Sequence, residues 1–394
     1  MTMKRVYLDH IAGTPPSLQV REAMRSCLED GVGNPQSLYA EGQRARQVVD
    51  ESRAKLAALI HSRPDEIIFT SSGSEANNLA LKGLALARHN QGDHIILSAI
   101  EHVSLIKAAQ SLEKSGFKVT RVRVDAQGMV DPDEIKRALT PGTVVVSVMS
   151  ANSVVGTVEP VREIAHICRS RGVRFHTDAV AAVGGIPVDV EALGVDCLSL
   201  AADQFYGPQG SAALFLRKGV KLVPLLDGGV QENGKRAGTE NVPGIVGLGE
   251  AAALALEDMD GRGKRMRALR DRLIQELPNR IEHVVLTGHP ESRLPHHASF
   301  CIRFVEGEGM LLHLDMNGIA VASGSACASK SLKASHVLLE MGIDHTLAQG
   351  SLVFSMIDDT TPEDIEYLLD VFPPIVEKLR RMSPLYFEYL EKLK

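Results

Sequence analysis

Short apolar runs alternate with longer segments of helical periodicity between residues 65 and 216. The run at 144–148 is apolar at almost every position, which is typical of a strand buried on both faces. Because parallel strands need crossover connections, this alternation predicts an α/β fold with a mostly parallel sheet covered by helices on both faces. The predicted strands are 67–69, 94–97, 119–124, 144–148, 173–176, 197–200 and 212–216, and the predicted helices between them include 71–87, 103–115 and 161–170.

A different pattern begins near Gly247, where a long helical segment is followed by shorter elements. These elements are typical of a smaller α+β domain. The last residues, 383–394, mix aromatic and charged side chains, so we expect a helix that packs on the body rather than a partner-binding tail. The elements predicted in this part are strands at 298–304 and 352–356 and helices at 309–316 and 362–382.

The chain length and the change of pattern together predict three parts. An N-terminal arm, 1–15, is assigned to the small domain, the large α/β domain is 16–255, and the small α+β domain is 256–394. The content of 44% hydrophobic and 23% charged residues is ordinary for a globular protein with a large core.

Charge and hydropathy exclude two classes of partner. The net charge is −6 and no basic block occurs, which argues against nucleic acid as a partner. No stretch of about 18 apolar residues exists, so we expect no membrane span, and the N-terminus lacks the apolar run of a signal peptide. The five cysteines are widely spaced and include no CxxC pair, which is typical of a reducing cytoplasm and predicts a cytoplasmic protein.

Five segments carry the most specific signal when taken in order. They are YLDHIAGTPP (7–16), GNPQSLYAEG (33–42), FTSSGSEANN (69–78), RAGTENVPGIVG (236–247) and ASGSACASKSLKASHVL (322–338). Together they resemble the cysteine desulfurase family of fold-type I, class V aminotransferase-like enzymes that depend on pyridoxal phosphate (PLP). The resemblance runs along nearly the whole chain. It implies a PLP-transferase fold with a seven-stranded, mostly parallel sheet, a smaller C-terminal α+β domain and a homodimer.

The resemblance assigns five residues to a cofactor site. Gly73 and Ser74 match the phosphate loop, at a helix start whose N–H groups favour an anion; a plain N-cap turn is the alternative. Asp178 matches the carboxylate beside the ring nitrogen, although an Asp there could also cap a turn. His102 matches the residue that stacks on the ring. Thr239 matches the loop that one subunit lends to its partner's phosphate site.

The segment before Tyr206 departs from the family pattern. The family has Ser-x-His-Lys, and its lysine forms the Schiff base; this chain has Ala201, Asp203 and Gln204 at the Ser, His and Lys positions. An amide cannot form an imine and has no pKa suited to proton transfer near neutrality. The exchange of positive for negative charge also disfavours a dianionic phosphate. We therefore expect no covalent PLP.

Further departures surround the same site. Ala181 replaces a glutamine that binds the phenolic oxygen of PLP, and Ser153 replaces an asparagine that contacts ring and substrate. Val353 replaces the arginine that clamps the substrate carboxylate, a bidentate ion pair that valine cannot make. Tyr39 stands where a histidine is common. So many changes indicate natural loss of the lyase reaction, as in a pseudoenzyme.

Cys327 keeps the position of the family's sulfur acceptor, in a loop rich in Ser, Gly and Ala. With Lys330 nearby, its thiol could be partly thiolate and either accept sulfur or serve as an iron–sulfur ligand. The alternative is an unreactive leftover cysteine. The other four cysteines are expected in the core.

Three functions remain open from the sequence. The first is iron–sulfur cluster assembly or sulfur transfer through Cys327, with a scaffold or sulfur-acceptor protein as partner. The second is non-covalent binding of PLP or another phosphate ligand with residual or altered activity. The third is a structural subunit that pairs with an active paralogue. A lysine from elsewhere, such as Lys235 in the lent loop, could also substitute for the missing one.

Overall fold

A computed structural model describes residues 4–29, 31, 33–324 and 334–393. In this part of the chain the strands form a seven-stranded sheet in the order β2-β8-β7-β6-β5-β3-β4, a three-stranded sheet in the order β12-β10-β9 and the pair β1-β11. The strands are β1 (Val6–Tyr7), β2 (Ile67–Thr70), β3 (His94–Ser98), β4 (Lys118–Val122), β5 (Thr143–Ser147), β6 (Arg174–Asp178), β7 (Cys197–Ala201), β8 (Ala212–Leu216), β9 (Val284–Leu286), β10 (His297–Ile302), β11 (Ile319–Ala320) and β12 (Ser351–Ser355).

The large sheet confirms the predicted α/β fold. Its strands β4, β3, β5, β6 and β7 run parallel, whereas β8 is antiparallel to both β7 and β2. β3 and β5 are buried at every position because helices cover both faces. Two hydrophobic clusters lie on the two sides of the sheet and form most of its core.

The helices cover the large sheet and pack on the small one. None that the structure describes is both long and apolar enough to cross a membrane. The helices are α1 (Leu18–Glu29), α2 (Ala40–Leu59), α3 (Gly73–Ala87), α4 (Val103–Lys114), α5 (Pro132–Ala138), α6 (Val161–Ser170), α7 (Val190–Leu193), α8 (Gln231–Gly234), α9 (Val242–Arg280), α10 (Gly307–Met316), α11 (His336–Glu340), α12 (His345–Gln349), α13 (Pro362–Arg380) and α14 (Pro384–Lys392).

The longest helix, α9, joins the two sheets. It starts at Val242, five residues before the predicted start, and its backbone kinks at Asp258. The helix therefore runs through the predicted boundary at 255/256, and the division into domains stays a prediction.

The three-stranded sheet has its own core. Phe300, Phe354 and Phe372 are fully buried there, and the Phe354 ring makes edge-to-face contacts with the other two. The N-terminal arm joins this part because Val6 of β1 pairs in parallel with Ile319 of β11. The arm then passes between the two sheets, which brings its residues close to the strand ends of the large one.

Candidate functional site

Asp178 is the last residue of β6 and lies buried at the centre of a group of polar side chains. Its carboxylate accepts hydrogen bonds from Nδ2 of Asn77, 2.6 Å away, and from the backbone N–H of Val180, 3.0 Å away. Burial raises the pKa of Asp178, and the nearby His102 opposes this rise. The sequence analysis missed Asn77, although a polar residue on the buried face of α3 was a usable signal.

His102 caps α4 and is linked to Asp178 through two side chains. Its Nδ1 accepts from the backbone N–H of Ser104 at 3.2 Å and lies 2.7 Å from Ser104 Oγ. Ser104 Oγ in turn accepts from Asn77 Nδ2 at 3.1 Å. Because Nδ1 is an acceptor, the proton of a neutral ring lies on Nε2. We call Asp178, Asn77, Ser104 and His102 the Asp178 network.

Glu101 is a further buried acid beside this network and was not predicted. Its Oε1 accepts from Ser98 Oγ at 2.6 Å and from the backbone N–H of Met149 at 2.9 Å. Burial raises the pKa of Glu101 well above its usual value, and the neighbouring Asp178 carboxylate adds to this. Burial and the neighbouring carboxylate thus both favour the protonated form of Glu101.

The start of α3 carries the predicted phosphate loop, whose use as an anion site stays a prediction. Ser72 Oγ caps the helix by accepting from the backbone N–H of Glu75 at 3.1 Å. A Cβ at Gly73 would lie 2.7 Å from a methyl group of Val180 and 3.7 Å from Cβ of Ala201, so only glycine fits. Ser74 is exposed. The structure thus brings the predicted phosphate loop and position 201 together.

Residues 201–204, which we call the Gln204 turn, follow β7. The backbone carbonyl of Gln204 accepts from Nε2 of His10 at 2.8 Å, and its side-chain amide lies 3.4 Å from the carbonyl of Ile11. The carbonyl of Asp203 accepts from the N–H and the hydroxyl of Thr14 at 2.7 and 2.9 Å. The turn is therefore held by its backbone, and Gln204 offers an amide where the family has an amine.

The side chain of Asp203 has no cation beside it among the residues that the structure describes. It is half-buried, and burial raises the pKa of Asp203. In the described part of the chain no ion pair reaches its carboxylate. Lys235, the other lysine considered, is half-buried at the end of α8, and no described hydrogen bond or ion pair joins it to Asp178 or Gln204. Asp203 therefore places a carboxyl group in the turn that no described cation pairs with.

The four other replaced positions, and the matching position Thr239, differ in burial. Val353 is buried in β12, where it pairs with Ser299 and Ala322, so position 353 carries no charged side chain. Ser153 is half-buried, and its carbonyl accepts from His297. Ala181 packs against the large core cluster. Tyr39 and Thr239 are exposed, and within the described ranges no hydrogen bond joins Thr239 to the start of α3.

The cysteines divide into one outside the described residues and four inside them. Cys327 and Lys330 fall in 325–333, outside the described residues. The others, Cys27, Cys168, Cys197 and Cys301, are buried as expected, and burial raises the pKa of Cys168 and of Cys301 to about 12. Among the described residues no group of three His, Cys, Asp or Glu side chains is placed to hold a metal.

Comparison with known proteins gives consistent matches along the chain. Residues 6–368 match the aminotransferase class-V family. The chain is 49% identical over 383 residues to the cysteine desulfurase IscS of Dictyoglomus turgidum, covering 97% of each. It is 43% identical over 380 residues to cysteine desulfurase IscS 1 of Archaeoglobus fulgidus, covering 96% of this chain and 99% of the other. A solved structure of a NifS-like protein superposes with a TM-score of 0.90 at 34% identity, over 95% of this chain and 100% of that one.

Proposed function

Because the chain belongs to the aminotransferase class-V family and is similar to cysteine desulfurases along nearly its whole length, we propose that it acts in iron–sulfur cluster assembly or sulfur transfer through Cys327, and not as a PLP-dependent lyase. The observation that carries this proposal is the Gln204 turn, where the lysine position holds an amide. The proposed assembly is a homodimer that works with an iron–sulfur scaffold or a sulfur-acceptor protein. The cytoplasm is the proposed compartment, since this chemistry needs reduced thiols.

Covalent PLP does not fit the residues of the turn. An imine needs a primary amine, and the nitrogen of the Gln204 amide is not nucleophilic. The side-chain amide of Gln204 lies against the backbone carbonyl of Ile11. No described lysine is bonded to Asp178, His102 or Gln204. We therefore assign no step of the proposed function to this cofactor.

Charge supports the same conclusion for the phosphate end. Asp203 is half-buried and pairs with no cation among the described residues, and Ala201 beside Gly73 has no hydroxyl to offer. Two like charges about 4 Å apart repel by about 4 kcal/mol at an effective dielectric constant of about 20. Val353 also leaves the substrate side without a carboxylate clamp. These three changes disfavour a ligand with a phosphate and a carboxylate.

The proposed chemistry uses the Cys327 thiolate in one of two balanced steps. As a sulfur acceptor, the thiolate attacks the outer sulfur of a donor persulfide, forms a new S–S bond, and releases the donor thiolate without net oxidation. As an iron ligand, the Cys327 thiol releases its proton to solvent, and the resulting thiolate completes a coordination site that a partner leaves open. Neither step needs an amine at position 204.

The test is purification without oxygen, followed by a visible spectrum and assays of iron, sulfide and PLP on one sample. We expect cluster or persulfide bound to the wild type, none bound to Cys327→Ser, and no imine band in either. Cys168→Ala, which removes a buried thiol of α6, is the matched control and should retain the bound sulfur. A band that borohydride fixes to the wild-type chain, together with normal turnover of cysteine to alanine, would overturn the proposal.

A second candidate, non-covalent binding of PLP or another phosphate ligand, is favoured by the intact Asp178 network. Its carboxylate and the His102 ring are already oriented by Asn77 and Ser104. Equilibrium dialysis with PLP separates the candidates, because only this second one expects saturable binding that Asp178→Ala abolishes. The Cys327→Ser variant should bind as the wild type does if this candidate holds.

A further inference from the structure

Strand β2 is the last strand of the large sheet, and in the described part of the chain no strand pairs with its outer edge. Such an edge can pair with another extended chain unless something covers it. In an antiparallel pair, alternate residues face the neighbouring strand. Ile67 and Phe69 face outward, because their backbone groups bond to side chains and not to β8.

One buried ion pair covers these outward groups. Oε2 of Glu232 accepts from the backbone N–H of Phe69 at 2.9 Å, and Nη1 of Arg53 donates to the carbonyl of Ile67 at 2.9 Å. Arg53 and Glu232 join each other through two hydrogen bonds of 2.7 and 2.8 Å. Their side chains are 16% and 3% exposed, and the guanidinium lies 4.5 Å from the centroid of the Phe69 ring. The pair thus offers β2 one donor and one acceptor, as a further strand would.

The backbone is bent to bring Glu232 to this place. Glu232 and Asn233 have φ of 47° and 55°, and Gly234 has φ of 73°. Left-handed conformations are unfavourable for residues with a Cβ, although Asn tolerates them better than Glu. A glutamate keeps such a conformation only where its surroundings fix it. Here the fixed point is the carboxylate, which is bound to Arg53 and Phe69.

A second contact lies four residues further along the same segment. Nε of Arg236 donates to Oε1 of Glu75 at 2.9 Å, and the Glu75 carboxylate also accepts from the N–H and the hydroxyl of Ser71. Burial acts to raise the pKa of Glu75, but Arg236 and Ser71 outweigh it and hold this pKa below its usual value. We call residues 232–236 the strap. Its two contacts, at Phe69 and at Glu75, flank the turn that carries the predicted phosphate loop.

We propose that the strap is a positioning element, in which the Glu232–Arg53 pair takes the place of a strand at the open edge of β2 and Arg236 fixes the start of α3. The two contacts keep the turn between β2 and α3 ordered without a ligand and close the edge to pairing with another chain. Glu232 and Arg236 are therefore positioning residues. The strap goes beyond the proposed function and holds whether or not Cys327 accepts sulfur.

Hydrogen exchange of single backbone amides in the full-length protein, followed by NMR, tests the strap. In the wild type the Phe69 amide should exchange about as slowly as that of Ile68, which faces β8. In Glu232→Ala the ratio of the Phe69 rate to the Ile68 rate should rise by about 10- to 100-fold, the effect of one hydrogen bond to a charged group. A loss of global stability alone would speed both amides and leave this ratio unchanged.

Variants of neighbouring positions separate the carboxylate from the bent backbone. Glu232→Gly suits the left-handed conformation but has no carboxylate, so it should raise the ratio as Glu232→Ala does. Asn233→Gly relieves the same conformation and keeps the carboxylate, so it should leave the ratio unchanged. Lys55→Met, which removes an exposed ion pair from α2, should also leave it unchanged.

The Arg236 contact is tested separately. Arg236→Met should raise the pKa of Glu75, measured by carboxyl 13C NMR, because burial then acts with less opposition. The strap is wrong if Glu232→Ala or Glu232→Gly folds without a rise in the ratio, if Asn233→Gly raises it as much, or if the pKa of Glu75 does not move. It is also wrong if the Phe69 amide of the wild type exchanges freely while that of Ile68 is protected, a result that needs no variant to fold.

Discussion

The Gln204 turn and the Asp178 network lie at the ends of adjacent strands, β7 and β6, and are held in different ways. The turn is fixed through backbone carbonyls, which accept from Thr14 and His10. The network is fixed through side chains, from Asn77 and Ser104 to Asp178 and His102. Backbone contacts do not depend on which side chain the residue carries.

This difference explains how one side of a pocket can change while the other persists. At positions 203 and 204 a new side chain leaves the carbonyl contacts in place, so substitution costs little stability. In the network, removing one partner leaves a buried polar atom without its hydrogen bond, which costs about 1–3 kcal/mol. Replacing Asp178 or Asn77 would therefore destabilise the fold, even where no ligand contacts them.

The largest expected effect comes from restoring the turn. The triple variant Ala201→Ser, Asp203→His, Gln204→Lys supplies an amine, removes the negative charge and returns a hydroxyl beside Gly73. Since one removed repulsion of about 4 kcal/mol corresponds to on the order of a thousandfold in affinity, PLP should bind far more tightly than to the wild type. A visible band that borohydride fixes to the chain is the measurement.

Two controls sharpen this result. Gln204→Lys alone should bind PLP more weakly than the triple variant because Asp203 remains. The triple variant with Asp178→Ala should lose binding again, since the ring-side carboxylate is gone. If the triple variant takes up no PLP although it folds, the network has lost its function as well as the turn, and the contrast between the two regions fails.

The next effect compares two carboxyl groups of different burial, those of Glu159 and Asp203. Glu159 is buried, and its backbone N–H donates to the carbonyl of Ser150. Burial raises the pKa of Glu159 from 4.5 to about 8. A raised carboxyl pKa stabilises the fold at low pH and loses this contribution as pH rises from about 4.5 to about 8. Between about pH 4.5 and about pH 8, the unfolding free energy of Glu159→Gln should therefore fall by a few kcal/mol less than that of the wild type.

Asp203→Asn, in the Gln204 turn, is the comparison for Glu159→Gln. Its carboxyl is only half-buried and its pKa is raised in the same direction, so the variant should flatten the pH dependence much less. Urea denaturation at several pH values measures both. Equal effects of the two variants would show that ionised Asp203 destabilises the fold as much as ionised Glu159 does.

The sequence predicts the large sheet well because its strands are nearly continuous apolar runs. β3 and β5 were predicted within one residue at each end. The strand β10 was predicted, but the short strands β1, β9 and β11 were not, since two or three residues carry no period. The start of α9 was predicted late, although Asn241 as cap and Pro243 in the first turn were readable signals.

The site divides in the same way. Gln204 and Asp203 could be identified from the sequence because a resemblance fixes their register. In the Asp178 network, the resemblance identified Asp178 and His102 but not Asn77 and Ser104, because these two depend on which faces of α3 and α4 meet the end of β6, and that is decided by packing. The stacking of His10 on His296 is likewise a property of chain segments that meet only in the fold.

The smallest expected effect compares single hydroxyl groups in the two regions. Thr14 Oγ1 donates to the Asp203 carbonyl and accepts from the buried N–H of Tyr206 at 2.7 Å, so Thr14→Val leaves this N–H unpaired and should cost about 2 kcal/mol. Ser104→Ala should cost about 1 kcal/mol, because His102 Nδ1 keeps the backbone N–H of residue 104. Thermal and urea denaturation measure both, with Ser111→Ala on the exposed face of α4 as a control that should stay within about 0.5 kcal/mol. If Ser104→Ala costs more than Thr14→Val, the turn is not the region held by its backbone, and its tolerance of new side chains needs another cause.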